Sequence, residues 1–193
     1  MRRPGPIRLW AVVFWLAVWQ IASMVLHQEL FLVSPVRVLL RLGQLALEPS
    51  FWGSIASSLL RIGGGFLLAM ILGTALAVLA AGFSRVRELL EPLMLSVKSV
   101  PVASFIILAL LLFSSKYLAI LISFLIVLPV VYTNVLTGIR EMGRDLREVA
   151  QVFQLPARRA VRYLYLPQVL PYFRSACAVA VGLSWKAGVA AEV

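Results

Sequence analysis

The chain has one cysteine, Cys177, one histidine, His27, and only 8 acidic residues among 193. A single cysteine excludes an intrachain disulfide and any cysteine-based metal cluster. A single histidine, with only Glu29 nearby as a further ligand, excludes the usual histidine-rich metal spacings, and His27 reads as an interfacial polar residue at a helix end. Few carboxylates leave little for general acid–base work, and neither a glycine-rich phosphate loop nor a Ser/His/Asp set can be assembled. The chain is therefore not expected to be an enzyme or to hold a cofactor or metal of its own. Charge is scarce as well, at 13% of residues against roughly 25% in soluble domains.

What remains is mostly apolar: 62% of residues are hydrophobic and the mean hydropathy is +0.96. These values define an integral membrane protein, all-α because a helix satisfies its own backbone in lipid. The excess of 18 basic over 8 acidic residues falls between apolar runs rather than in one tract with interleaved aromatics. It reads as membrane topology, not as a nucleic-acid surface. A span takes about 20 apolar residues, and the sequence offers five: residues 7–26, 62–82, 92–113, 117–139 and 171–193. Arg2, Arg3 and Arg8 precede a first span too long for a signal-peptide core, so a retained helix is expected. Placing the N-terminus in the cytoplasm puts those arginines, Arg85, Arg87 and the cluster from Arg140 to Arg174 inside. It leaves chiefly Arg37, Arg41 and Lys116 outside, as the positive-inside rule requires.

Residues 1–50 therefore read as a first span with an outer amphipathic connector, and 51–193 as a helical core with a cytoplasmic loop at about 140–170. In the connector, Ser34-Pro35 has the form of a cap and first helical residue, and Arg37, Arg41, Gln44 and Glu48 share a polar face; Pro49 is expected to end it. The second span repeats small residues at every fourth position, Gly65, Ala69, Gly73, Ala77 and Ala81, which predicts close approach of another helix. Pro101 and Pro129 predict a kink or break in the third and fourth spans. Ser104 and Asn134 nearby are candidates for lining a solute path. Lys98 is shallow enough for its stem to snorkel to the cytoplasmic interface. Lys186 lies deeper and is expected to face the bundle interior; Glu192, six residues on, would not share its face.

The polar stretch at 148–167, EVAQVFQLPARRAVRYLYLP, interrupts these runs. From Asp145, an apolar stripe of Leu146, Val149, Ala150, Val152 and Phe153 predicts a short helix. Pro156 marks a turn, and a second, basic helix over 157–165 is expected to be closed by Pro167 and Pro171. Two short helices meeting at an elbow suit docking into a groove on a soluble partner.

This stretch resembles the cytoplasmic loop of permease subunits of binding-protein-dependent ABC importers, whose pattern is E-A-A, three residues, G, nine residues, I-x-L-P. Glu148-Val149-Ala150, Gln154 and Leu164-Tyr165-Leu166-Pro167 stand at those positions with every interval kept. Gln154 occupies the glycine position, and because glutamine lacks glycine's freedom at positive φ, the elbow is expected to turn instead at Leu155-Pro156. Leu32-Val33-Ser34-Pro35, Ser58-Leu59-Leu60-Arg61 with Gly65-Phe66, Glu91-Pro92-Leu93, Val100-Pro101-Val102-Ala103, Leu166-Pro167 through Leu170-Pro171, and Ala190-Ala191-Glu192 are similar to the nitrate, sulfonate and taurine subgroup. The resemblance implies a MetI-like permease fold in the prokaryotic inner membrane, moving a small anionic or sulfur- or nitrogen-containing solute. It implies as partners a second permease copy, ABC ATPase subunits that bind the ATP, and an extracytoplasmic solute-binding protein. Glu148, Val149, Ala150, Phe153, Gln154, Leu155, Pro156, Leu166 and Pro167 would form the ATPase-coupling loop. Such permeases usually continue into a further loop and span beyond the position of Val193, so this chain is expected to lack a final helix. The rival classes are an ATP-independent secondary transporter, which would place several ionisable residues at mid-membrane, and a membrane scaffold.

Overall fold

The computed structural model describes residues 9–26, 32–112, 115–143, 148, 150 and 152–192. His27, and with it Val149 and most of the predicted helix from Asp145 onward, lies outside these residues. The described elements are all helical, and the chain divides into two compact units, residues 1–56 and 57–193.

In the first unit, α1 (Leu9–Leu26) is apolar on every side and has no buried residue, the pattern of a helix surrounded by lipid rather than packed on one face. Its 18 residues extend about 27 Å, close to the thickness of the hydrocarbon layer. The connector folds as α2 (Pro35–Leu45), with Ser34 in extended backbone at φ −69° and ψ 145°, its side chain accepting the Arg37 N–H at 3.4 Å. Pro35 sits at the first helical position, where its missing N–H has no intrahelical partner to lose. Pro49 does not end this helix. It begins the next one, α3 (Pro49–Gly82), for the same reason, and α2 stops at Leu45. The polar stripe Ser54, Ser57, Ser58 and Arg61 is thus part of a helix that continues into the second span.

The second unit is organised around α6 (Ser115–Arg140). Leu118, Ala119, Ile122, Ser123, Val127, Pro129, Val131, Tyr132 and Val135 are all fully buried, so α6 is surrounded by neighbouring elements along much of its length. Small residues allow this. Gly65 and Gly73 of α3 lie against α6 so closely that a Cβ at Gly65 would collide with the Ile120 carbonyl oxygen. At Gly73 it would lie 3.1 Å from the Leu128 oxygen and from Val131 Cβ. Lipid offers no hydrophobic drive for helix association, so this close approach supplies the van der Waals contact that holds the helices together. The predicted stripe holds for Gly65, Ala69, Gly73 and Ala77, but the next buried position is Ala80 and Ala81 is exposed. Each step of four residues advances about 40° around a helix of 3.6 residues per turn. By residue 81 the stripe has rotated away from α6.

The third predicted span is two helices, α4 (Ser84–Ser99) and α5 (Val102–Leu112). Val100 between them is extended, at φ −75° and ψ 126°, the conformation that a following proline imposes. Pro101 therefore makes a break. Pro129 does not: α6 continues through it, and the Thr133 hydroxyl donates to the Pro129 carbonyl at 2.7 Å.

The basic helix after the elbow is not closed by Pro167 and Pro171. A short α7 (Ala157–Ala160) widens into a π turn over Val161–Tyr165 and runs on as α8 (Leu166–Ala190). Pro167 has no N–H, and its ring would press on the carbonyl four residues back. The wider turn accommodates the ring, and the Leu166 N–H reaches the Val161 carbonyl instead. α8 packs extensively along α6. A Cβ on Gly188 would meet Ile62 Cγ1 at 2.6 Å, and one on Gly138 would meet Tyr172 at 2.9 Å, so α8, α3 and α6 form one tightly fitted core.

Against the five expected spans, three described helices are both long and apolar enough to cross a membrane: Leu9–Leu26, Pro49–Gly82 and Tyr117–Arg140. The third predicted span is divided at Pro101, and the fifth lies within α8, which carries Arg174 and Lys186.

Candidate functional site

The elbow is built by a helix C-terminus. Glu148, Ala150 and Val152 are helical, Phe153 and Gln154 form a turn, and the Leu155 N–H donates to the Ala150 carbonyl at 3.0 Å. A bond spanning five residues back to the third-last helical position is the signature of a Schellman cap, whose penultimate residue takes the left-handed conformation. That residue is Gln154, with φ 46°, the one non-glycine residue at positive φ among those described. The expectation that the turn would move to Leu155-Pro156 is thus overturned: the chain keeps the glycine geometry with glutamine in it. The Schellman bond and the following Pro156, which cannot continue the helix, over-determine the turn and hold Gln154 there. Pro156 then starts the next segment, its carbonyl accepting from the Arg159 N–H at 2.8 Å and the Ala160 N–H at 3.1 Å.

Val152 and Phe153 project from this elbow at 78% and 72% exposure, while Ala150 and Leu155 are half-buried. Glu148 and Pro156 are exposed. Beyond the elbow, Arg158, Arg159 and Arg162 present positive charge, and the Arg162 guanidinium lies 5.9 Å from the centre of the Tyr163 ring. The result is an apolar tip with a basic shoulder. Leu166 is exposed and, with Pro167, belongs to the start of α8 rather than to the elbow itself.

The candidate path residues do not form one cluster by their surroundings. Asn134 is half-buried and donates through Nδ2 to the Val130 carbonyl at 2.8 Å, bonding its own helix; Ser104 is exposed. Lys186 lies on the exposed face of α8, not in the interior of this chain. Lys98, read as snorkelling, donates through Nζ to the Thr133 hydroxyl of α6 at 3.0 Å. It lines a cavity of about 470 Å³ between α4 and α6 with Glu91, Tyr132, Thr137, Arg140 and Glu141. The individual charges here were legible, but their convergence was not, because it depends on α4 crossing α6.

Two motifs at opposite ends of the core also meet. Arg61 of α3 donates through Nη1 to Glu192 Oε1 at 3.3 Å, across 131 positions of sequence. Arg61 is no neighbour of Glu192 along any one helix, so counting residues from Lys186 cannot find this partner. Among the described residues no group of histidine, cysteine or acidic side chains could hold a metal ion.

Residues 65–193 match the model of the binding-protein-dependent transport system inner membrane component family, and the chain belongs to that family. It is similar to the bicarbonate transport system permease protein CmpB of Synechococcus elongatus, 30% identical over 74% of this chain and 51% of the relative. It is similar also to the nitrate import permease protein NrtB of Leptolyngbya laminosa, 29% identical over 92% of this chain and 66% of the relative. A third relative is the formylaminopyrimidine transport permease protein ThiX of Halalkalibacterium halodurans, 24% identical over 88% and 68% respectively. The chain thus spans between half and two thirds of the length of the first two. It is a multi-pass inner-membrane protein of that family.

Proposed function

We propose that this chain is a transmembrane permease subunit of an ATP-driven importer, with a pair of such subunits forming the solute path and the elbow at 148–167 docking onto a cytoplasmic ATPase. The observation that carries this reading is the elbow: a left-handed turn at Gln154 presents Phe153 and Val152 to the surroundings beside a basic shoulder. Two large apolar side chains at the tip of a polar loop favour burial in a partner's groove, an association driven by the area they remove from water. Topology enforcement alone would explain Arg158, Arg159 and Arg162 but leaves the exposed apolar tip without a role. The N-terminus is assigned to the cytoplasm, so that the elbow faces the ATPase and the Arg61–Glu192 pair faces the solute-binding protein. The break at Pro101 and the fitted α3–α6–α8 core are suited to rigid-body rocking between inward- and outward-facing states as the ATPase closes.

The solute is proposed only as a small polar or anionic compound. Bicarbonate, nitrate and formylaminopyrimidine are named for the relatives, a range too wide to carry over.

The test is affinity purification of the chain from its native membrane in mild detergent, beside Glu148→Lys and Phe153→Ala. Co-purification of an ABC-type ATPase with the parent and its loss in both variants is expected. Recovery of the ATPase at parental yield with both variants would refute the elbow as the docking element. Solute uptake coupled to protons and indifferent to ATP would favour a secondary transporter.

A further inference from the structure

The coupling role makes no use of α2. At 3.6 residues per turn, its Arg37, Arg41 and Gln44 fall within an arc of about 60°, while the apolar side chains from Leu45 round to Leu40 fill about 220°. The described residues leave that wide arc open: Val36, Val38, Leu39, Leu40 and Leu42 are all exposed, Leu39 at 68%. Its 11 residues extend about 16 Å, too short to cross the hydrocarbon layer. A helix this apolar that cannot span a bilayer needs some other surface to remove it from water.

Two hydrogen bonds fix the level at which it lies. The Ser23 hydroxyl, in the last turn of α1, donates to the Leu32 carbonyl at 3.0 Å, three residues before α2 begins. At the other end, the Trp52 indole N–H donates at 3.0 Å to the carbonyl of Ala46, the residue that caps α2, and leaves the ring 57% exposed. α1 buries no residue and is apolar on every side, so lipid surrounds it. A helix tied to its end therefore starts where acyl chains give way to headgroups, the level that tryptophan rings favour. On the narrow polar arc, the long stems of two arginines let their guanidinium groups reach phosphate oxygens while the apolar arc stays among acyl chains. Glu48 lies beyond the helix end. We infer that α2 is a lipid-docking element, lying in the membrane surface at the Leu26 end of α1, its apolar arc in the acyl region and Arg37 and Arg41 on headgroup phosphates. A protein groove would take a stripe of about 100° and leave the rest of the arc in water, whereas a lipid surface covers all of it. The assignment holds for either orientation of the chain.

Spin labels test this in the full 193-residue chain, reconstituted in nanodiscs with no ATPase present. Single labelling sites are introduced by Leu39→Cys, Leu42→Cys and Gln44→Cys in a Cys177→Ser background. Power saturation then reads collision with oxygen, which concentrates in lipid, and with a neutral nickel chelate, which stays in water. The ratio of oxygen to nickel accessibility is expected to be about tenfold or more higher at positions 39 and 42 than at 44, the contrast of a helix sunk about 5–10 Å into the boundary. High nickel accessibility at all three would place α2 in water, and shielding of 39 and 42 from both reagents would place protein, such as a second copy, on the arc; either result overturns the inference. A second arm reads the arginines. In discs of phosphatidylglycerol, Arg41→Glu is expected to lower the ratio at position 39 about twofold or more, and by less in phosphatidylcholine, because each basic group near an anionic surface favours association about fivefold. An unchanged ratio in both lipids would overturn the headgroup contact. The labels lie in the first compact unit and the elbow in the second, so failure here leaves the docking elbow untouched, and loss of ATPase recovery leaves α2 untouched.

Discussion

Replacing Gln154 by glycine should tighten the elbow. A residue with a Cβ pays about 1–2 kcal/mol to sit in the left-handed region, and Gln154 sits there at φ 46°. Glycine removes that strain but loses about 0.5–1 kcal/mol through the greater freedom of the open chain. The net gain is therefore about 0.5–1 kcal/mol, or a two- to fivefold shift in the local opening equilibrium. Gln154 is exposed, so no packing change obscures the comparison. The amide that reports it is that of Leu155, held on the Ala150 carbonyl at 3.0 Å. Hydrogen exchange of the peptide covering 152–160 should slow two- to fivefold in Gln154→Gly. It should slow less in Gln154→Asn, which tolerates the left-handed region, and should accelerate at least tenfold in Gln154→Val, whose branched side chain does not. An unchanged or faster rate in the glycine variant, or no order among the three, would refute the claim that the elbow stores backbone strain at this residue.

Gly65→Val should destabilise the bundle by about 1–3 kcal/mol by overpacking against the Ile120 carbonyl, read as a lower melting temperature in detergent. Gly63→Ala, with open space around the added methyl, should be neutral or stabilising by up to about 1 kcal/mol. Arg61→Gln and Glu192→Gln should each cost no more than about 1 kcal/mol, since the Arg61 side chain is 38% exposed and solvent screens the pair. The exchanged double variant Arg61→Glu with Glu192→Arg should recover part of that loss. Phe153→Ala should leave the stability within about 0.5 kcal/mol of the parent, as expected for an exposed side chain, while abolishing ATPase recovery.

The sequence was most legible where a local rule acts alone. The Ser34-Pro35 cap was readable because N-capping needs only neighbouring atoms. The small-residue stripe was readable as far as Ala77, and failed at Ala81 because a spacing of four residues ignores the drift of a real helix. Prolines were ambiguous. Pro101 breaks its helix, Pro129 is carried inside one, and Pro167 is absorbed by a π turn, because neighbouring contacts decide whether the lost backbone bond can be tolerated. Of the 148–167 stretch, the presence of a turn before Pro156 was predictable, whereas the glutamine at positive φ was not. Intrinsic propensity argued against it, and the Schellman bond together with Pro156 prevailed.

The sequence alone determined that this chain is helical and lives in a membrane, because an apolar, charge-poor polymer can satisfy its backbone there only within helices. It also determined where the loop lies and which residues it carries, since these are properties of composition and spacing. Only the tertiary structure decided that α6 is the central helix and that Gly65 and Gly73 face it. Only the tertiary structure brought Arg61 to Glu192, and only it brought Lys98 to the Thr133 hydroxyl. Such pairings depend on how helices cross and rotate against one another, and in lipid that is decided by the fit of surfaces far apart in the chain.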